Sequence, residues 1–178
     1  QEAKDYFKPA VQKKAVILPN SLNPNFIKPL YEGERRKHIV TVGRLDDNKN
    51  QILLIRAFEK AAEAFPEWEL YLYGDGPSRR KWEEYAQGTS CTERIHFMGM
   101  ADEIYNKIDA DSIFVLPSIM EGMPNALIEA MALGLACVST DCPCGGPKDL
   151  LKDNENGLLV PVNDADAMAE ALKKLMDD

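Results

Sequence analysis

Residues 112–140 read SIFVLPSIMEGMPNALIEAMALGLACVST, and their order decides the fold. An apolar run of strand length at 112–118 enters a loop carrying Glu121 and Gly122; a helical stretch follows at 124–134, and a second apolar run at 136–140 closes the unit. Pro124 suits the first helical position, where the amide has no intrahelical acceptor to lose. Two strands joined through a helix lie parallel, because such a crossover returns the chain to the same end of the sheet. Both runs are apolar on both faces, as strands covered by helices on each side are.

The same alternation extends in both directions. Strand candidates lie at 38–44, 68–74, 94–99 and 157–162, with helices at about 51–65, 78–87, 101–109 and 164–176. In the first of these, Ile52, Ile55, Ala57, Phe58, Ala61, Ala62 and Phe65 recur along one helical face, and Pro66 ends it. Asn163 or Asp164 is the cap candidate for the last. About six successive βα repeats predict a doubly wound, Rossmann-like parallel sheet, in which ligands bind outside the carboxyl ends of the strands. Residues 1–30 break the pattern: AVILPN at 15–20 reads as one isolated strand, followed by a Pro-, Asn- and charge-rich stretch as linkers are. They are expected to be the tail of another domain plus a connection, leaving 31–178 as the folded unit.

Composition bounds the function. With 178 residues, 45% hydrophobic, the chain is long enough for one packed core. Its 21 Lys and Arg against 29 Asp and Glu give a net charge of −8, the wrong sign for a dedicated nucleic-acid binder, so any anion site must be local. No apolar run approaches the ~18 residues that span a bilayer. The four cysteines are too few and uneven for a disulfide framework, which suits a reducing, cytoplasmic setting. Cys142 and Cys144 lack the second ligand pair that structural zinc needs, and no metal site is expected.

The loops after the strands hold the chemistry-bearing residues. In VGRLDDNKNQ, Gly43 permits close backbone approach, while Arg44 and Lys49 offer a guanidinium fork and a point charge at the sheet edge, which suit a diphosphate; solvated surface charge is the plainer alternative. YGDGPS fails as a dinucleotide fingerprint because position 79 is Arg, so it reads as a tight turn with Asp75 or Ser78 capping a helix. In EGMPNALIEAMALG, the amides of Asn125, Ala126 and Leu127 point out of a helix N-terminus, a ready anion site. Glu121 precedes that helix, where it also suits the dipole, but Glu129 is a lone acid in an otherwise apolar helix. A retaining glycosidase would need two carboxyls about 5 Å apart flanking one bond, which these two positions do not suggest. Asp109 and Asp111 spell an acidic pair before a strand, the wrong edge for a metal-held donor. His96, Trp68 and Trp82 read as packed residues.

Taken together, GRLDDNKN, YGDGP, IHFMG, EGMPNALIEAMALG with its glutamates eight positions apart, and GGPKDLLKDNENGLLV resemble the C-terminal domain of the family 4 retaining glycosyltransferases of the GT-B fold, from about His38 onward. AVILPNSLN is similar to the last strand and linker of that family's N-terminal domain. The resemblance implies a nucleotide-sugar-binding domain that takes a nucleoside diphosphate sugar, most often a uridine one, without metal or other cofactor. It implies that Arg44 and Lys49 contact the diphosphate, Glu121 the donor sugar and Glu129 the ribose. Backbone amides of Gly122, Met123, Asn125, Ala126 and Leu127 serve sugar and phosphates, and Gly99, Met100 and Ala101 wall the base pocket, next to Gly43. The implied acceptor is the hydroxyl of a glycolipid or cell-surface polysaccharide. The acceptor side, a catalytic histidine and any membrane contact belong to an N-terminal domain, so this chain is expected to bind a donor and transfer nothing alone. A non-catalytic nucleotide-binding module, or a nucleotide-sugar epimerase or phosphorylase of the same fold, are the alternatives.

Overall fold

The computed structural model describes residues 2–16 and 18–178. Two short helical turns, α1 (Glu2–Asp5) and α2 (Pro9–Gln12), lead to β1 (Arg36–Val42) and α3 (Gln51–Ala62). The chain continues through β2 (Glu69–Tyr73), α4 (Arg79–Gln87), β3 (Ile95–Gly99), α5 (Ile104–Lys107), β4 (Asp111–Leu116) and α6 (Asn125–Ala132). It closes with β5 (Ala136–Thr140), α7 (Gly146–Leu150), β6 (Leu158–Val160) and α8 (Ala165–Met176). The strands form one sheet in the order β3-β2-β1-β4-β5-β6, and every pairing is parallel. The predicted doubly wound α/β sheet is therefore the fold. Its strand order reverses between β1 and β4, and all six carboxyl ends lie along one edge.

Each face of the sheet buries its own core. On one side α3 and α8 pack against Ile39, Leu70, Leu72 and Ile113, with Leu54, Phe58, Met168 and Leu172 at the centre. On the other side α6 contributes Leu127, Ala130 and Leu133 against Val40, Phe114 and Leu116, and Phe26 from the N-terminal segment joins them. Phe26 meets Tyr105 edge to face with ring centroids 5.6 Å apart, and Lys28 pairs with Asp109 at 2.6 Å. Toward the amino ends of the strands, Tyr71 is sandwiched between His38 and His96, at 4.4 and 4.5 Å between ring centroids. His96 also bonds Glu69 at 2.7 Å, while Asp111, at the start of β4, is tied to Arg36 and His38. His96 is thus a packed, hydrogen-bonded strand residue, and Trp68 and Trp82 are buried.

Several sequence expectations shift. The described residues of 15–20 form no strand, because no sheet edge lies beside them to take their hydrogen bonds; Ile17, within that stretch, lies outside the described residues. The helix expected at 101–109 contracts to four residues, since Glu103 adopts a left-handed conformation (φ 50°) that the helix cannot extend through. Asp164 rather than Asn163 caps α8, accepting the amide of Ala167 at 2.8 Å. Ser78 rather than Asp75 occupies the N-cap position of α4, without a side-chain capping bond: Asp75 accepts the amide of Gly76, and the Ser78 hydroxyl donates to Asp47 at 3.1 Å. Among the described residues, no helix is long and apolar enough to cross a membrane.

Phe58 is fully buried where α3, α8 and the sheet meet. Phe58→Ala is predicted to lower unfolding free energy by about 3–5 kcal/mol. Urea denaturation checks this, and a loss below about 1 kcal/mol would mean that the two helices do not share this core.

Candidate functional site at the carboxyl edge

At a point where strand order reverses, the chains leaving adjacent strands turn to opposite faces and leave a crevice between them. Here β1 feeds α3 on one face and β4 feeds α6 on the other, and the loops 43–50 and 117–124 border the crevice. They are laced together. The Ile119 amide donates to the Asn48 carbonyl at 2.8 Å, the Asn48 side chain to the Met120 carbonyl at 3.2 Å, and the Asn50 side chain to the Pro117 carbonyl at 3.3 Å. The Lys49 ammonium donates to Glu121 Oε1 at 2.5 Å, and the buried Ser118 hydroxyl donates to the same oxygen at 2.7 Å. The two groups expected to touch different parts of one ligand thus hold each other.

Arg44 lies beside this pair with its side chain mostly exposed, 3.4 Å from Asp46. Its backbone is fixed by Gln51, whose amide donates to the Arg44 carbonyl at 3.0 Å, while Asp46 accepts the Lys49 amide at 2.9 Å. Toward β2 and β3 the crevice opens into a cavity of about 410 Å³, lined by Val42, Gly43, Arg44, Tyr73, Gly74, Asp75, Met100, Ala101 and Ile104. The structure thereby brings Gly43, Arg44, Met100 and Ala101 to one cavity, with Gly99 in a left-handed turn (φ 70°) just before them. The cavity falls within the size range of small-ligand pockets. The close backbone approach expected at Gly43 falls instead on Gly74: a Cβ there would lie 1.9 Å from the Gly43 carbonyl oxygen, and its φ is 130°.

Pro124 caps α6 rather than opening it, and the helix starts at Asn125. Among the described residues, the amides of Gly122, Met123, Asn125 and Ala126 have no acceptor, whereas that of Leu127 donates to the Pro124 carbonyl at 3.1 Å to close the first turn. Leu127 therefore offers no free amide, and its side chain is core. Asn20 reaches this corner from the N-terminal segment, its side-chain amide donating to the Met123 carbonyl at 3.1 Å and to Asn125 Oδ1 at 2.8 Å. The loop after β5 closes the other side. Gly146 packs so tightly that a Cβ would lie 1.5 Å from the Gly122 carbonyl oxygen. Cys144, in that loop, is partly accessible, while Cys91, Cys137 and Cys142 are buried.

Glu129 is half-buried, has no hydrogen-bond or ion-pair partner among the described residues, and burial alone pushes its carboxyl above the usual carboxylate range. Glu121 and Glu129 thus occupy different environments, one bridged by a cation and a hydroxyl, the other unpaired. Among the described residues, no group of three His, Cys, Asp or Glu side chains is placed to hold a metal. Sequence reading missed Ser118, Asn48 and Asn50 as builders of this site. The signal for Ser118 was its place just after the strand, three residues before Glu121; nothing in the sequence singles out the asparagines.

A family model described as "Glycosyl transferases group 1" matches residues 36–178. The chain is 32% identical over 169 residues to a Campylobacter jejuni N-acetylgalactosamine-N,N'-diacetylbacillosaminyl-diphospho-undecaprenol 4-alpha-N-acetylgalactosaminyltransferase, covering 93% of this chain and 45% of that protein. It is 31% identical over 179 residues to an Escherichia coli UDP-Gal:alpha-D-GlcNAc-diphosphoundecaprenol alpha-1,3-galactosyltransferase, covering 93% and 46%. It thus spans less than half the length of these curated relatives. Among solved structures, S. aureus TarM in complex with UDP and other ligands superposes with a TM-score of 0.79 at 23% identity, over 85% of this chain and 31% of that one. The C-terminal domain of a group 1 glycosyl transferase from Francisella tularensis gives 0.75 at 23% identity, over 86% and 87%.

Glu129 yields a signed pH prediction. A carboxyl whose folded pKa is raised is protonated more readily in the folded state, so its charge costs stability at pH 7, and that penalty fades as pH falls through the folded pKa. Glu129→Gln should therefore melt higher than the unsubstituted chain at pH 7, with the difference vanishing near pH 4. Equal melting temperatures at pH 7 would mean that the carboxylate is solvated or paired.

Proposed function

This chain belongs to the group 1 glycosyltransferase family, and on that footing we propose that it is the donor-binding domain of a retaining glycosyltransferase. It takes a nucleoside diphosphate sugar, with UDP as the nucleotide, and serves transfer to the hydroxyl of a lipid-linked or cell-surface glycan. The observation that carries this reading is the juxtaposition, at one crevice, of an apolar cavity of about 410 Å³, two cations and the free amides of a helix N-terminus. A base, a diphosphate and a sugar are joined in that order, and the crevice offers an apolar, a cationic and a carboxylate-lined stretch in turn.

In this reading the base enters between Tyr73 and the Met100–Ala101 turn, and Gly74, by carrying no side chain, lets the Gly43 backbone pack beside it at the cavity wall. Glu129 accepts hydrogen bonds from the ribose hydroxyls, which compensates the burial that otherwise penalises its charge. Arg44 and Lys49 take the diphosphate with the amides at the start of α6, and as the glycosidic bond breaks they hold the charge that develops on the leaving group. Fixed cations and amides stabilise that charge without a metal and without reorganising at the moment of reaction. Glu121 accepts hydroxyls of the donor sugar and so orients its anomeric carbon. Residues 1–30 are the end of a preceding acceptor-binding domain with its linker. That domain supplies the acceptor, the remaining catalytic groups and contact with the membrane carrying the lipid-linked glycan, on the cytoplasmic side. Relatives that act on diphospho-undecaprenol sugars support this placement.

Calorimetric titration of the chain with UDP, GDP and ADP, without added metal, tests the proposal. UDP is expected to bind saturably and more tightly than the other two. Arg44→Ala and Glu129→Ala should each weaken it about tenfold or more, the worth of a hydrogen bond to a charged group. Tighter binding of GDP or ADP would reassign the base, and no binding by a folded chain would remove the donor-site reading.

A further inference from the structure

We infer that Ser118 is a positioning residue that holds Glu121 by one carboxylate oxygen and turns the other toward the donor sugar. The inference rests on the donor-binding reading above and assigns a task to a residue outside the expected contact set. Ser118 is fully buried at the end of β4, and its hydroxyl donates to Glu121 Oε1 at 2.7 Å. Lys49 donates to the same oxygen at 2.5 Å. Glu121 Oε2 has no partner among the described residues and is not among the buried, unpaired polar atoms, so it keeps some access to solvent.

Ser118 is itself fixed from two sides. The buried Thr140 hydroxyl on β5 donates to the Ser118 carbonyl at 2.5 Å, and the next amide, that of Ile119, bonds Asn48 across the crevice. A short, buried hydroxyl on an anchored backbone has little freedom to leave its acceptor. A lysine on a four-carbon stem has much more. The two donors on Oε1 therefore differ when a diphosphate arrives: the ammonium is drawn to the phosphate oxygens, and the serine stays. While Lys49 is shared with the ligand, Ser118 alone keeps Oε2 aimed at the sugar hydroxyls. Loss of the hydroxyl should spare nucleotide affinity and remove the sugar's share.

The test compares UDP with UDP-glucose, UDP-galactose and UDP-N-acetylglucosamine on the chain and its Ser118→Ala and Ser118→Cys variants, with melting temperatures recorded for each. Ser118→Ala is expected to bind UDP within about twofold of the unsubstituted chain and the preferred UDP-sugar about five- to tenfold more weakly. Ser118→Cys, which keeps a weak donor, should fall between. Equal weakening of UDP and UDP-sugar would mark a merely structural serine, and no change in either would equally overturn the inference. A second measurement needs no ligand: the two γ-methylene proton signals of Glu121, followed by NMR in a Lys49→Ala background, where Ser118 is the remaining donor to Oε1. Their collapse toward one averaged shift in Ser118→Ala supports the positioning role, and unchanged signals defeat it. If the unsubstituted, folded chain binds no nucleotide, the donor reading falls, and the Glu121 signals still decide what Ser118 does.

Discussion

A parallel sheet that reverses its strand order must open between two neighbouring strands, and the polar backbone around that opening has to find partners. Here the opening lies between β1 and β4. Its sides are joined by Asn48, Asn50, Lys49 and Ser118, each spanning from one loop to the other or bracing the carboxylate between them. Asn50 and Ser118 are buried, and buried polar groups are expensive when unpaired and rigid when satisfied, so their bonds help fix both loops at once. The cavity toward β2 and the free amides at the start of α6 keep their relation to each other because the loops that carry them are tied. The positions of Lys49 and Glu121 depend on that closure.

The fold was legible because the pattern that encodes it is local. Apolar runs of strand length alternate with helical periods along the chain, and the two faces of the sheet follow from them. The succession of βα units makes the strands parallel, but their order and the reversal between β1 and β4 come from the structure. Boundaries moved where geometry overrode pattern, as at Glu103, where one left-handed residue shortened a helix that periodicity alone would have let run. AVILPN misled for the opposite reason: its composition suits a strand, yet a strand exists only with a neighbour, which sequence cannot supply.

Of the site, the charged residues could be read and their wiring could not. Arg44, Lys49, Glu121 and Glu129 stand out by type and place in the sequence. Nothing in it says that Lys49 and Glu121 are bonded, because 72 residues separate them and only the meeting of β1 with β4 brings them together. Glu129 was identifiable as an acid in an apolar helix, but its unpaired state depends on neighbours contributed by other elements. The glycines divide in the same way. Gly43 looked permissive, but Gly74, Gly76 and Gly146 are positions where a neighbouring carbonyl forbids any side chain.

The thiols carry a practical consequence. Three of the four are enclosed by the fold, while Cys144 is partly open in the loop that presses against Gly122. A maleimide dye would therefore find its most accessible attachment point two residues from that contact, in the unaltered sequence. The chain carries a built-in reporter position at the rim of its crevice, suited to following occupancy by fluorescence without engineering a new cysteine.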